Sequence, residues 1–191
     1  ARGGPTGALT GQNVLVLGGT GPVGRIAGVI AARCGAQVAL SSRGGVAAAE
    51  QAARGTGQRF QVELQGVSAS DRAALRESLA QADVVLACAA AGVQVVSVDD
   101  LIHARRLKVA ADLNAVPPEG IAGLGAMDDA KALAGTQALG IGALTVGNVK
   151  YQTQQRMLVQ MREAAVMLSF AEAFATAQAV LAERAGAATP S

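Results

Sequence analysis

Residues 13–24, NVLVLGGTGPVG, join a short apolar run to a glycine-rich turn. The run, 13–17, is apolar at the successive positions 14–17, as a strand buried on both faces requires. After the turn, Arg25 to Arg33 carries Ile26, Val29 and Ile30 at helical spacing. Strand, glycine turn and helix follow in that order, and Gly19, Gly21 and Gly24 give G-x-G-x-x-G in the context the motif demands. In such a turn Gly19 permits the tight bend, Gly21 leaves room for a pyrophosphate to approach backbone N–H groups, and Gly24 lets the helix pack closely on the sheet. Thr20 and Val23 complete the loop, and Pro22 sits in the first helical turn, where its missing N–H would have been an orphan anyway. The positive end of the helix then faces a diphosphate. The other reading of the same residues is a turn used for structure alone.

The alternation continues outward. Strands are expected at 36–41, 59–64, 83–88 and 107–111, with helices at 46–54, 70–79 and 98–106 between them. Ser70 and Asp71 supply capping chemistry for the helix that carries Leu75 and Leu79. Pro117 and Pro118 interrupt the order with a loop, Met127 to Leu133 reads as one or two helical turns, and 137–141 as a sixth strand before the loop GIGALTVGN. This is an α/β chain, a Rossmann-type doubly wound parallel sheet with helices on both faces. From Tyr151 to Ala185 there is neither Pro nor Gly, and apolar residues from Met157 to Leu181 recur three or four apart. That is one long helix, or two joined near Ser169. Three parts are expected: a nucleotide-binding domain over 1–150, a helical segment over 151–185 docking on another domain or subunit or packing on its own sheet, and a disordered tail over 186–191. A homo-oligomer is the expected assembly.

The chain of 191 residues is 51% hydrophobic and 16% charged, too apolar for a disordered segment. A formal charge of +2 gives no case for a nucleic-acid or anionic-membrane partner. Yet residues 1–59 hold six arginines and one glutamate, an excess that suits a phosphorylated small ligand. Cys34 and Cys88 are too few for a disulfide framework and read as core thiols of a reducing compartment. No membrane-length apolar stretch or signal sequence is evident, so the expected location is the cytoplasm.

The second strand ends in Ser41, Ser42, Arg43 and Gly44. An NAD site needs an acid there for the ribose hydroxyls, and none is available. A 2′-phosphate can instead take a hydroxyl from Ser42 and the guanidinium of Arg43, which favours NADP as cofactor. Arg43 also fits a solvated surface charge or an adenine-stacking group. Ala89, Ala90 and Ala91 after the fourth strand are small enough for a flat ring to lie against the backbone, or pack there as plain strand-end residues. His103 is the sole histidine, so neither a His-based metal site nor a His-relayed nucleophile is supported. Tyr151, the sole tyrosine, has Gln155 four residues on, where a short-chain reductase needs lysine. Lys150 and Asp112 are the candidate catalytic polar groups, each equally a solvated loop residue or a cap, with Thr153 as a further local hydrogen-bonding residue.

The block from Ala111 to Ile121, ADLNAVPPEGI, and the block from Ala138 to Gly142, ALGIG, together with the glycine loop, resemble the nucleotide-binding domain of the NADP-dependent methylene-tetrahydromethanopterin dehydrogenases over about residues 1–165. The resemblance implies cofactor contacts at Asn114, Gly140 and Gly142 and a pterin-type one-carbon carrier as partner. It departs where Gln154 stands in place of the family's histidine, and in the family's N-terminal domain, for which the opening ARGG reads as the end of a linking helix. Hydride removal from a methylene bridge leaves a nitrogen-stabilised cation, so no side chain need take a proton. The alternative is an NADP(H)-binding sensor or regulatory module without turnover.

Overall fold

The computed structural model describes residues 7–163 and 166–187. The opening ARGG and most of the expected tail lie outside them. One compact unit runs up to Leu144, and a second begins at Thr145.

The first unit is built on β1 (Asn13–Leu17). Its neighbours are β2 (Gln37–Ser42) and β4 (Val84–Ala87), both parallel to it, with Val14 opposite Val38 on one side and Val84 on the other. Beyond them lie β3 (Gln65–Ser68), β5 (Val109–Asp112), β7 (Leu139–Ile141) and β6 (Lys131–Ala132). The order is β3-β2-β1-β4-β5-β7-β6, all parallel except the short β6. The chain winds outward from β1 to β3, then crosses back to β4 and winds the other way. The reversal between β1 and β4 opens a crevice at the carboxyl ends of the strands.

Alternation in β1 explains why both faces are covered. Val14 and Val16 pack with Ala31 of α1 (Pro22–Arg33) and Ala53 of α2 (Val46–Phe60). Leu15 and Leu17 pack with Leu75 and Leu79 of α3 (Arg72–Gln81) and Leu101 of α4 (Val98–Leu101). Each such buried Val or Leu side chain contributes roughly 1.5–3 kcal/mol.

Several elements differ from the sequence reading. The third strand is at 65–68, because α2 continues through Gly55 and Gly57 to Phe60 and ends at a left-handed Gln61 (φ 55°). The buried face Ala49, Ala52, Ala53 and Thr56 outweighs the helix cost of two glycines, about 1 kcal/mol each. Gly66 then lets β3 meet α2: an added Cβ would stand 2.2 Å from the Glu50 nitrogen. Asp71 caps α3, its Oδ1 accepting from Ala74 N at 2.9 Å, and Ser70 donates to Asp71. The helix expected over 98–106 shortens to α4, and the turn expected at 127–133 contains β6.

The expected long helix is two. α5 (Ala143–Glu163) starts eight residues before Tyr151, within the stretch read as a loop, and α6 (Phe170–Ala187) starts just after Ser169, whose amide donates to Glu172 at 2.8 Å. Within the second unit, Arg156 of α5 forms a two-pronged ion pair with Glu183 of α6.

Candidate functional site

The glycine loop sits at the carboxyl end of β1. Its left-handed residue is Gly18 (φ 73°), not Gly19, and a Cβ on Gly18 would stand 2.8 Å from the Cys88 carbonyl oxygen. Sequence reasoning missed Gly18, although its place directly after the apolar run was a usable signal. Gly19 serves a close approach: its amide donates to Ser41 O at 3.0 Å, and a Cβ would meet the Leu40 Cβ at 2.7 Å. Gly24 packs on the Gly18 carbonyl, where a Cβ would stand 2.5 Å from oxygen.

Gly21 is different. It is the N-cap of α1 at φ −75°, a conformation any residue adopts, and the nearest protein atom to an added Cβ is the Gly18 oxygen at an ordinary 3.4 Å. The fold itself does not require glycine there. Pro22 opens α1, and the amides of Val23 and Gly24 have no protein acceptor among the described residues. Thr20 offers its carbonyl to the Arg25 side chain.

Ser41 and Ser42 are buried at the end of β2, beside the loop. The Ser42 hydroxyl oxygen accepts from Gly44 N at 3.0 Å, which leaves its proton free to donate. Arg43 is exposed, and its side chain has no hydrogen-bond or ion-pair partner among the described residues. Gly45 (φ 89°) turns the chain into α2.

Across the crevice, Cys88 N donates to Leu17 O, and Leu113 N to Ala87 O, so the ends of β1, β4 and β5 stand side by side. Ala89, Ala90 and Ala91 follow β4 outside any regular element, with Ala90 and Ala91 exposed. Asp112 ends β5 fully buried. Its Oδ1 accepts from Asn114 N at 2.9 Å, and its Oδ2 from Gly120 N at 2.6 Å and Ile121 N at 3.2 Å. The carboxylate thus shapes the loop to Ile121, a task the sequence did not reveal. Asn114, nine-tenths buried, accepts from Val116 N through Oδ1, while its Nδ2 has no partner. That donor is the one unsatisfied buried side-chain atom among the described residues. The Cys88 thiol is pushed up to about 11, by burial and then by the nearby Asp112 carboxylate.

Gly140 and Gly142 are closely packed: a Cβ on the first would press the Leu124 side chain at 3.2 Å, and one on the second would stand 2.2 Å from the Gly125 oxygen. Lys150 is exposed on α5, in the second unit, and Thr153 donates its hydroxyl to Val149 O in the same helix. His103 is exposed in a turn after α4. Among the described residues no group of three or more His, Cys, Asp or Glu could hold a metal, and no helix is long and apolar enough to cross a membrane.

No protein-family model matches the chain. It is 40% identical over 168 residues to the NAD(P)-dependent methylenetetrahydromethanopterin dehydrogenase of Methylorubrum extorquens, covering 87% of this chain and 57% of that protein. It is also 31% identical over 157 residues to the bifunctional protein MdtA of the same organism, covering 82% and 54%. The chain therefore spans little more than half the length of these curated relatives. A solved L-alanine dehydrogenase matches with a TM-score of 0.51 at 18% identity, over 73% of this chain and 41% of that one, a likeness of fold alone. With the parallel order around β1 and the glycine loop at its end, the chain has a Rossmann-type fold and resembles the NAD(P)-dependent methylenetetrahydromethanopterin dehydrogenases over most of its length.

Proposed function

We propose that this chain is the NADP-binding half of an oxidoreductase that moves hydride between methylene-tetrahydromethanopterin, or its folate counterpart, and NADP. The observation that carries the reading is the division among the loop glycines: Gly18, Gly19 and Gly24 are each demanded by a close backbone approach, whereas a Cβ at Gly21 would meet only the Gly18 oxygen, at an ordinary 3.4 Å. A glycine the fold does not need is accounted for by a ligand that does need it.

The residues present fit the cofactor. The free amides of Val23 and Gly24 and the positive end of α1 suit the pyrophosphate. Ser42 offers its hydroxyl proton and Arg43 its unpaired guanidinium to a 2′-phosphate, and no acid stands at this strand end to claim a ribose diol. Ala89 to Ala91 leave room beside the crevice for a flat ring, and Asn114 holds an unused amide donor at the end of β5. When bound, NADP supplies the hydride acceptor. The chain's own task is then to hold that acceptor rigidly and keep water from it, because a methylene bridge flanked by two nitrogens needs no side-chain base. Asp112 acts on the site through the loop it shapes, as a positioning residue. Lys150, exposed on α5, is the other candidate catalytic polar group.

The test follows NADPH formation from methylene-tetrahydromethanopterin and NADP, with the chain alone and with the chain joined to the remaining part of its Methylorubrum relative. Binding with little turnover alone and turnover in the joined protein supports the reading. Binding without turnover in either overturns the catalytic role in favour of a non-catalytic NADP(H) module.

A further inference from the structure

The arginine excess of residues 1–59 is sorted in space. Arg33 bonds the Phe60 carbonyl, Arg54 pairs with Glu50, and Arg59 lies over the Phe60 ring at 5.3 Å. Of the described arginines in this stretch, Arg25 and Arg43 remain, neither paired with an acid among the described residues, and both attach to the adjoining segments that Gly19 N and Ser41 O bond together. A dinucleotide with a 2′-phosphate has two separate anionic centres, and Arg43 answers one of them.

We infer that Arg25 is a clamp for the pyrophosphate, an inference that rests on the proposed dinucleotide site. Arg25 sits one turn into α1, its amide donating to Gly21 O at 3.0 Å, and its side chain turns back toward the helix start, as helical side chains do. There its Nε donates to Thr20 O at 2.9 Å, on the glycine loop itself. That bond uses one of five guanidinium N–H groups and fixes the plane of the fork beside the loop, leaving the other donors for phosphate oxygens.

The pyrophosphate is common to NADPH and NADH, so the two residues separate by titration calorimetry. Arg25→Met is expected to weaken both cofactors by the same factor, roughly 10- to 100-fold. Arg43→Ala is expected to weaken NADPH alone. Arg25 is exposed, so its variants should keep the wild-type melting temperature; Arg25→Lys, which keeps charge without the planar fork, should recover part of the loss and serves if the Met variant does not fold. Unchanged NADPH affinity in the Arg25 variants overturns the inference, as does a loss confined to NADPH, which would make Arg25 a second reader of the 2′-phosphate. A wild-type chain that binds neither cofactor overturns the underlying dinucleotide reading instead.

Discussion

Gly24 lies so close to Gly18 that a Cβ on Gly24 would stand 2.5 Å from the Gly18 carbonyl oxygen, closer than real Cβ contacts allow. The first turn of α1 is therefore seated directly on the loop that leaves β1, and the atom that resists is backbone, which cannot rotate away. Gly24→Ala is expected to destabilise the first unit by about 1–3 kcal/mol through overpacking, read as a lower urea midpoint with an unchanged slope. Gly21→Ala, whose Cβ meets the same oxygen at 3.4 Å, should leave the midpoint within about 0.5 kcal/mol of wild type.

Arg43 has no partner to lose among the described residues, so its replacement should be silent in stability and visible in binding. Arg43→Ala is expected to cost NADPH about 1.5–3 kcal/mol while sparing NADH. Calorimetric titration of both cofactors checks it, and an equal loss for both would mean that Arg43 stacks on adenine.

Asp100 is fully buried under α3, yet Arg72 and Arg76, which reach it at 2.7 and 2.8 Å, are 57% and 37% exposed. Burial alone would raise its carboxyl, but the Ser97 amide and hydroxyl and the two arginines outweigh burial and hold it below the usual carboxylate range. A depressed carboxyl contributes stability that is complete above its unfolded value, near 4, and is lost as pH falls through the folded value. Asp100→Asn should therefore destabilise the protein by about 1–3 kcal/mol at neutral pH, the arginines it leaves being free to hydrate. Its unfolding free energy should also fall less steeply than the wild type's below about pH 4.

With its thiol near 11, Cys88 is about one part in a thousand thiolate at pH 8. Thiolate-seeking reagents should modify it slowly in the folded protein and rapidly once it is unfolded. Asp112→Asn removes the nearby negative charge and should move the onset of labelling to lower pH, followed by mass spectrometry of the Cys88 peptide.

How far the sequence could be read depends on whether the signal was local. The run 13–17, the glycine turn and the repeated strand–helix order were visible because apolar periodicity and glycine spacing are written in adjacent residues. The third strand was misplaced because RFQVEL, at 59–64, alternates like a strand, and what overrides it is tertiary: the seat of α2 against Gly66. The same holds at the candidate site. Gly21, Ser42 and Arg43 could be named from the motif and the strand end, whereas the left-handed Gly18 and the grip of Asp112 on Gly120 and Ile121 arise from contacts between separate loops. The unpartnered Nδ2 of Asn114 appears only once its neighbours are placed.

The measurement that bears most directly on the account is titration of the wild-type chain and its Gly21→Val variant with NADPH, with circular dichroism and thermal melting recorded on both. One NADPH is expected per wild-type chain, bound more tightly than NADH, with no detectable binding to Gly21→Val at an unchanged spectrum and a melting temperature lowered only slightly by the poorer helix cap. Wild-type affinity in the variant, or a wild-type chain that takes up no NADPH, would contradict it.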